Sequence, residues 1–348
     1  MKHKQLLEVL PDCGIKLHRS RLECLSMVMV ALIQARSVNL VTLASMIESR
    51  AQVSSIYRRL QRFFSELHLE EEVLLRLSQS LQPQASYSLC LDRTNWKFGK
   101  LNINILTLAY AHEGVAVPLL WCLLPKFGNS STPERIALLE RLFERLSVTH
   151  IHALLADREF IGSDWFAYLN SKQLPFVIRV RKDALGDDWF HLFHFFQHLP
   201  IGEHKVLKQR YSVFGSSLGV AGARLSGSDY LIVVSNRAPE RALASYAQRW
   251  QVECFFKALK SSGFDLETTH LTSLQRISTL LFVVSLAFVW ALKVGVSLAR
   301  SKPIPIKHHG RKQKSVFRTG LDQLRHVLAN ASRRKVELVL YLQLLSCT

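Results

Sequence analysis

The chain has 348 residues, 48% of them hydrophobic, enough to bury one large core or two modest ones and far too apolar for a disordered polymer. Its 45 Lys and Arg against 27 Asp and Glu give a formal charge of +18, which calls for a polyanionic partner, most commonly nucleic acid. The six cysteines form no CxxC pair, which excludes zinc-ribbon and dithiol-redox motifs and suits a reducing cytoplasm.

The opening MKHKQLLEVLPD turns polar before any long apolar run, so no signal peptide is expected and the location read from it is cytoplasmic. Residues 1–82 read as a helical N-terminal region. VNLVTLASMIES and SSIYRRLQRFFSEL, separated by a polar turn, suit a helix-turn-helix. Ser54 or Ser55 would cap the second helix, with Ile56, Leu60 and Phe63 packed and Arg58, Arg59 and Arg62 turned outward toward DNA. An ordinary bundle with a solvated basic face is the alternative reading of the same pattern.

Pro83 marks a boundary beyond which the hydrophobic period changes. Residues 83–182 read as the first part of an α/β core: strands at SYSLCLD (86–92), NINILTLAYA, GVAVPLLWCLL, IHALLA (151–156) and PFVIRVRK (175–182). His112-Glu113-Gly114 signals a hairpin. Thr132 and Pro133 open a helix, with Thr132 expected as its cap, and Ser163–Gln173 forms another. Residues 183–229 break this rhythm and read as a β-rich insertion. Residues 230–300 resume the core, with a strand at YLIVVSN and one long helix from Pro239 to about Ser262. The segment 277–299 is long enough to span a bilayer, but Lys293 interrupts it and a buried core helix is the expectation. A basic connector and two closing helices fill 301–348, where ten Lys and Arg face two acids and supply +8 of the +18. Arg311, Lys312 and Lys314 of this connector are candidate phosphate contacts.

Two candidate site residues, Asp92 and Asp157, each end an apolar strand, where open α/β sheets bind ligands. Capping or turn-making is the ordinary alternative for each. A third carboxylate, Glu253, lies on the long helix, and spacings of three, four and seven put Tyr246, Arg249, Glu253 and Lys260 on one helical face, with Lys257 beside them. Taken alone, such a stripe is usually just solvated. Three converging carboxylates, however, are hard oxygen donors able to hold two Mg²⁺ ions, or Mn²⁺ in their place, for an in-line displacement at phosphorus. No GxxxxGK loop or GxSxG elbow competes with this reading.

LDRTNWK (91–97), LADREF (155–160) and YAQRWQVECFFKALK (246–260) together resemble the three catalytic regions of DDE transposases. The closest resemblance is to the insertion-sequence-four family, whose Tyr-x2-Arg-x3-Glu-x6-Lys signature is matched by Tyr246, Arg249, Glu253 and Lys260. The resemblance spans roughly residues 35–320. It implies a ribonuclease-H-like core with Asp92, Asp157 and Glu253 as metal ligands, and Tyr246, Arg249 and Lys260 gripping end phosphates. It also implies double-stranded DNA as partner, both the element's terminal inverted repeats and the target, bound by a homodimer with no role for a membrane. The implied course is a nick, a hairpin, reopening of the hairpin and strand transfer. Better-known members carry a long C-terminal dimerisation domain, whereas about 30 residues follow the basic connector here. Trp96 and Trp189 are candidates to stack a flipped base, with packing the commoner role. A junction-resolvase-like nuclease and a catalytically dead DNA-binding regulator are the competing functions. His191, His194 and His198 align at helical spacing but read as packing and surface groups, His308 and His309 belong to the basic connector, and Glu159 is a rival or supporting carboxylate.

Overall fold

Most of the strand-forming runs in the middle of the chain are too apolar to leave either face in water, and they assemble into one sheet packed against helices, with the polar run 204–213 left largely exposed at its edge. The computed structural model describes residues 2–67, 70–82, 86–186, 189–308 and 310–346, so the boundary expected at Pro83, as well as His309 and Cys347, lies outside the described residues. Eight strands, β1 (Tyr87–Phe98), β2 (Leu101–His112), β3 (Val115–Leu123), β4 (Ile151–Ala156), β5 (Phe176–Val180), β6 (His204–Val213), β7 (Ser216–Ser226) and β8 (Asp229–Ser235), lie in the order β3-β2-β1-β4-β5-β8-β7-β6. β1, β2 and β3 form an antiparallel meander, β4 pairs parallel to β1 and β5 parallel to β4, and the remaining pairings are antiparallel.

Local chemistry explains the joints. Glu113 and Gly114 both adopt positive φ, 51° and 84°, the backbone a two-residue hairpin needs between β2 and β3. Pro118 is tolerated because β3 is an edge strand and its pairing slips beside that residue. The first strand does not end at Asp92 as its apolar run suggests. Pairing with β2 carries it through Asn95, Trp96 and Lys97 to Phe98, opposite Leu101. Nor do the strands of residues 183–229 stand apart, because β6 and β7 hydrogen-bond in sequence onto β8 and lengthen the same sheet.

Five helices precede the sheet: α1 (Lys2–Val9), α2 (Arg19–Ala35), α3 (Leu40–Met46), α4 (Val53–Glu66) and α5 (Glu71–Gln79). On α4 the residues Ile56, Leu60, Phe63 and Phe64 are buried, while Arg58 and Arg62 are exposed. The helix starts at Val53 with Gln52 at its cap, so Ser54 and Ser55 fall in the first turn instead of capping it. Similarly, α6 (Thr132–Phe143) is capped by Ser131, one residue before the expected Thr132, and the Glu134 carboxylate accepts the Ser131 N–H at 2.6 Å. α7 (Ser163–Ser171) follows β4 as expected.

The single long helix expected over 239–262 is broken. A 3₁₀ turn at Pro239–Arg241 leads into α8 (Ala242–Ala247), then α9 (Trp250–Lys257) and a π turn at Ala258–Ser262. Residues Gln248 and Arg249 belong to neither helix, and π turns of this kind often sit at functional sites. α8 packs over β4, β5, β7 and β8, and α9 over β1, β2 and β3, so the break lies across the middle of the sheet.

The apolar segment becomes α10 (Leu274–Ser301), followed by α11 (Val316–Ala329) and α12 (Lys335–Gln343). α10 is long and apolar enough to cross a membrane, but its most apolar window is 100% buried inside this protein, against α2, α4, α5, α11 and β3. Helices α10 and α11 touch backbone to backbone at Gly295 and Gly320. A Cβ on Gly320 would fall on the carbonyl oxygen of Ala291, and one on Gly295 would strike the Val316 carbonyl. Gly320→Ala is therefore expected to lower unfolding stability by about 1–3 kcal/mol, the range for overpacked cores. An unchanged denaturation midpoint would show that the two helices separate without penalty.

Candidate active site

Sheet register brings the two aspartates together. Parallel pairing of β1 and β4 ends with Leu91 opposite Ala156, so Asp92 and Asp157 are the next residues on adjacent strands, which lie about 4.8 Å apart. Each carboxylate accepts the N–H of the residue that follows it: Arg93 N–H to Asp92 Oδ1 at 2.8 Å, and Arg158 N–H to Asp157 Oδ1 at 2.7 Å. These local bonds fix both side chains before any third group arrives.

The third group comes from the broken helix. Tyr246, at the end of α8, donates its hydroxyl to Asp157 Oδ1 at 3.4 Å and accepts from Arg249 Nε at 3.1 Å. Arg249 Nη1 donates to Asp92 Oδ2 at 2.9 Å, and Nη2 donates to the Glu253 carboxylate one helical turn on. One guanidinium thus touches two of the three carboxylates and reaches the third through Tyr246. Its side chain is only 10% exposed, against 16% for Asp92 and 36% for Glu253.

Burial pushes the Asp92 carboxyl up to about 6, with Asp157 and Glu253 adding to the rise and Arg249 and the Arg93 N–H opposing it. Burial likewise pushes the Tyr246 phenol up to about 12. For Arg249, burial alone would lower the affinity for its proton, but Tyr246, Asp92 and Glu253 outweigh it and hold the guanidinium above its usual value. The donor set suits a hard divalent cation, since three carboxylates from separate elements are linked through one guanidinium, two directly and Asp157 through Tyr246. That guanidinium is Arg249's own, and among the described residues no three His, Cys, Asp or Glu side chains are grouped as a ready-made metal cage.

Glu159, the rival carboxylate, is occupied. Arg93 binds both its oxygens, at 2.9 and 3.1 Å, and Ser130 donates its N–H and hydroxyl to Oε1. Arg93 also reaches Asn104 and Asn129, while Arg135 donates to the Ser130 and Glu159 carbonyls. The cluster ties the residues that follow the two aspartates to each other. Sequence reasoning left Arg93 out, although it is adjacent to Asp92 in LDRTNWK.

The other candidates divide. Lys260 does not extend the polar face of Tyr246, Arg249 and Glu253 into solvent; within the π turn it donates to the Asn95 carbonyl at 3.1 Å, pairs with Glu267 at 2.9 Å and lies 5.5 Å over the Trp96 ring. Lys257 is exposed. Arg58 and Arg62 line an open cleft together with Ser55, Gln61 and Arg276, the last of which sequence reasoning missed. Arg59 instead pairs with Glu23 at 3.1 Å. In the connector, Lys312 lies 3.9 Å from Glu113 and Lys314 2.8 Å from Asp322, while Arg311 is exposed. Of the two stacking candidates, Trp96 is buried as packing requires, but Trp189 is 84% exposed with a φ of 61°, so packing does not account for it. Trp250, 63% exposed and three residues before Glu253, also escaped sequence reasoning. The burial of Val252, Phe255 and Phe256 marks the packed side of α9, and Trp250 lies off it. His194 and His198 are exposed and hydrogen-bond with Gln197.

Two tests follow from these groups. Asp92 binds its proton more tightly in the folded chain, near pH 6, than at its ordinary value of 3.8. Its contribution to stability is therefore complete below the ordinary value and is lost as pH rises through about 6. In chelator, Asp92→Asn is expected to flatten this decline in unfolding free energy, and an unaltered slope would refute the assignment. Arg93→Ala strands the Glu159 carboxylate and is expected to cost on the order of 3 kcal/mol, read by urea denaturation.

The family model for the transposase DDE domain matches residues 89–290, from β1 into α10, an interval containing Asp92, Asp157 and Glu253. A search of curated proteins finds no match. With more than half its length matched, the chain belongs to the transposase DDE-domain family.

Proposed function

We propose that this transposase cuts DNA at the terminal repeats of a mobile element and joins the freed ends to target DNA, using Asp92, Asp157 and Glu253 as ligands of two divalent ions. The observation that carries the reading is the linkage of those three carboxylates, from two neighbouring strands and one helix, through one buried guanidinium, which bonds Asp92 and Glu253 directly and Asp157 through the Tyr246 hydroxyl. The mixed sheet, an antiparallel meander with two parallel strands added at β1, supports a ribonuclease-H-like core interrupted by residues 183–229. The Tyr-x2-Arg-x3-Glu-x6-Lys match supports the insertion-sequence-four branch of the family.

Asp92, Asp157 and Glu253 would hold Mg²⁺, or Mn²⁺ in its place. When bound there, such ions polarise the scissile phosphate and acidify the attacking water. The chain's own residues do the rest. The β1–β4 pairing fixes the two aspartates at strand spacing, and burial excludes bulk water from Asp92. Tyr246 and Arg249 bond the carboxylates and, with Lys257 and Lys260 further along the same segment, would bind phosphates beside the scissile bond. Arg58 and Arg62 on α4, with Arg311, Lys312 and Lys314 of the connector, would hold flanking duplex by its backbone.

In this reading residues 1–82 recognise the element's ends, two copies of the chain act together on them, and the protein works at the nucleoid in the bacterial cytoplasm. Water opens one strand at the element's end. The freed 3′-hydroxyl attacks the opposite strand to form a hairpin, a second hydrolysis reopens it, and the same hydroxyl attacks target DNA.

Incubating the protein with Mg²⁺ and a labelled fragment bearing the DNA that flanks its coding region tests this course. Hairpin-ended products are expected, and Glu253→Gln should reduce them by more than the roughly 10–100-fold typical of groups behind the metal ligands. Linear cleavage with no hairpin and no joining would favour a resolvase-like nuclease. Binding without any cleavage would favour a DNA-binding regulator.

A further inference from the structure

The centre of the carboxylate group is occupied by a side chain of the chain itself. Arg249 gives one N–H to Asp92, one to Glu253 and one to the Tyr246 hydroxyl, which in turn bonds Asp157. Two of the three carboxylates bond directly to a guanidinium whose side chain is only 10% exposed, and a guanidinium is the side chain that keeps its charge. The arrangement therefore holds together with no ion added. It also imposes a conflict. Asp92 and Glu253 each commit an oxygen to Arg249, and a divalent ion claiming those oxygens at about 2.1 Å would repel the guanidinium beside them.

We propose that Arg249 is the resident counter-ion of the three carboxylates, that it competes with divalent metal for Asp92 and Glu253, and that a DNA phosphate relieves the competition by taking the guanidinium. The proposal rests on the metal-dependent reading above. It differs from that reading in giving Arg249 two successive partners of the same geometry.

A phosphate presents two oxygens to the planar fork as a carboxylate pair does, so both N–H bonds can be exchanged in one movement of the side chain. The position of the residue favours such a movement. Arg249 sits in the break between α8 and α9, next to Trp250, which is 63% exposed. Metal affinity and DNA engagement are then linked: whatever draws the guanidinium away from the carboxylates raises their affinity for metal, and metal in turn raises the affinity for DNA. Arg249 is a positioning residue in this scheme before it is a phosphate contact. The carboxylates would assemble their ions mainly where a substrate strand is already in place.

Calorimetric titration of Mn²⁺ into the full chain tests the competition without reference to activity. Arg249→Gln is expected to bind Mn²⁺ at least about tenfold more tightly than the natural protein, within the 5–150-fold range usual for coupled sites. Arg249→Lys keeps a cation but only a single-point donor, and should fall between the two, which also covers the case in which the Gln variant does not fold. Glu253→Gln should lose the binding. Adding the flanking duplex, with its binding verified by mobility shift, should raise the Mn²⁺ affinity of the natural protein and leave that of Arg249→Gln nearly unchanged. Equal or weaker Mn²⁺ binding by both Arg249 variants, or an equal effect of duplex on variant and natural protein, overturns the proposal. If Glu253→Gln binds Mn²⁺ as well as the natural protein does, the metal reading itself falls. If only the Arg249 variants fail to gain, the competition falls and the metal reading stands.

Discussion

The contact between Arg249 and Asp92 joins residues 157 apart in sequence, and with Glu253 and Tyr246 it ties the broken helix to the middle of the sheet. Its physical basis is simple. Register places two aspartates side by side where the parallel pairing of β1 and β4 stops, and burial raises the free energy of the charge on Asp92. The Arg249 guanidinium beside Asp92 opposes that cost. A continuous helix over 239–262 would present Tyr246, Arg249, Glu253 and Lys260 as one straight stripe. The break at Gln248–Arg249 and the π turn at Ala258–Ser262 instead send Tyr246 and Arg249 inward and Lys260 to the side of β1.

The Arg93–Glu159 cluster belongs to the same design. Each member follows one of the two aspartates, Arg93 directly and Glu159 two residues on. Their bidentate bond, reinforced by Ser130 and Arg135, clamps the chain just beyond the carboxylates on both strands. A small change in the distance between Asp92 and Asp157 would have to stretch this clamp. Geometry of that kind lets a site on a sheet hold its ligands more tightly than one on loops.

Much of the sheet was legible in the sequence because its signals are local. IHALLA coincides with β4, and Glu113-Gly114 supplies the left-handed pair that makes the β2–β3 turn. What escaped was set by pairing between distant segments. The extension of β1 to Phe98 depends on β2, not on the polar residues RTNWK themselves. Hydrogen bonding of β6 and β7 onto β8 is equally invisible in a stretch rich in Gly, His and aromatics. The three carboxylates and Arg249 stood out by their position and spacing, but the placement of the guanidinium against Asp92 and Glu253 did not. A face shared on an ideal helix says nothing about where the helix breaks. Trp250 and Trp189 illustrate the same limit, since composition favours packing for a tryptophan and only the packed surroundings show that neither is covered.

Charge distribution bears on how the protein would meet DNA. Residues 301–348 account for +8 of the formal +18, yet Lys312 lies near Glu113, and Lys314 and Arg318 both pair with Asp322. Part of that charge is spent on holding the connector to β-hairpin and helix. By contrast Arg58, Arg62, Arg276 and Lys257 form no ion pair with a carboxylate among the described residues, and three of them share one cleft between α4 and the start of α10. Phosphate binding releases counterions most effectively where cations are not already neutralised. In the proposed function, the face of α4 would therefore be better placed than the connector to carry the sequence-independent part of DNA affinity. Because α10 packs against both α4 and β3, that face is set by the same buried helix that backs the sheet carrying Asp92 and Asp157.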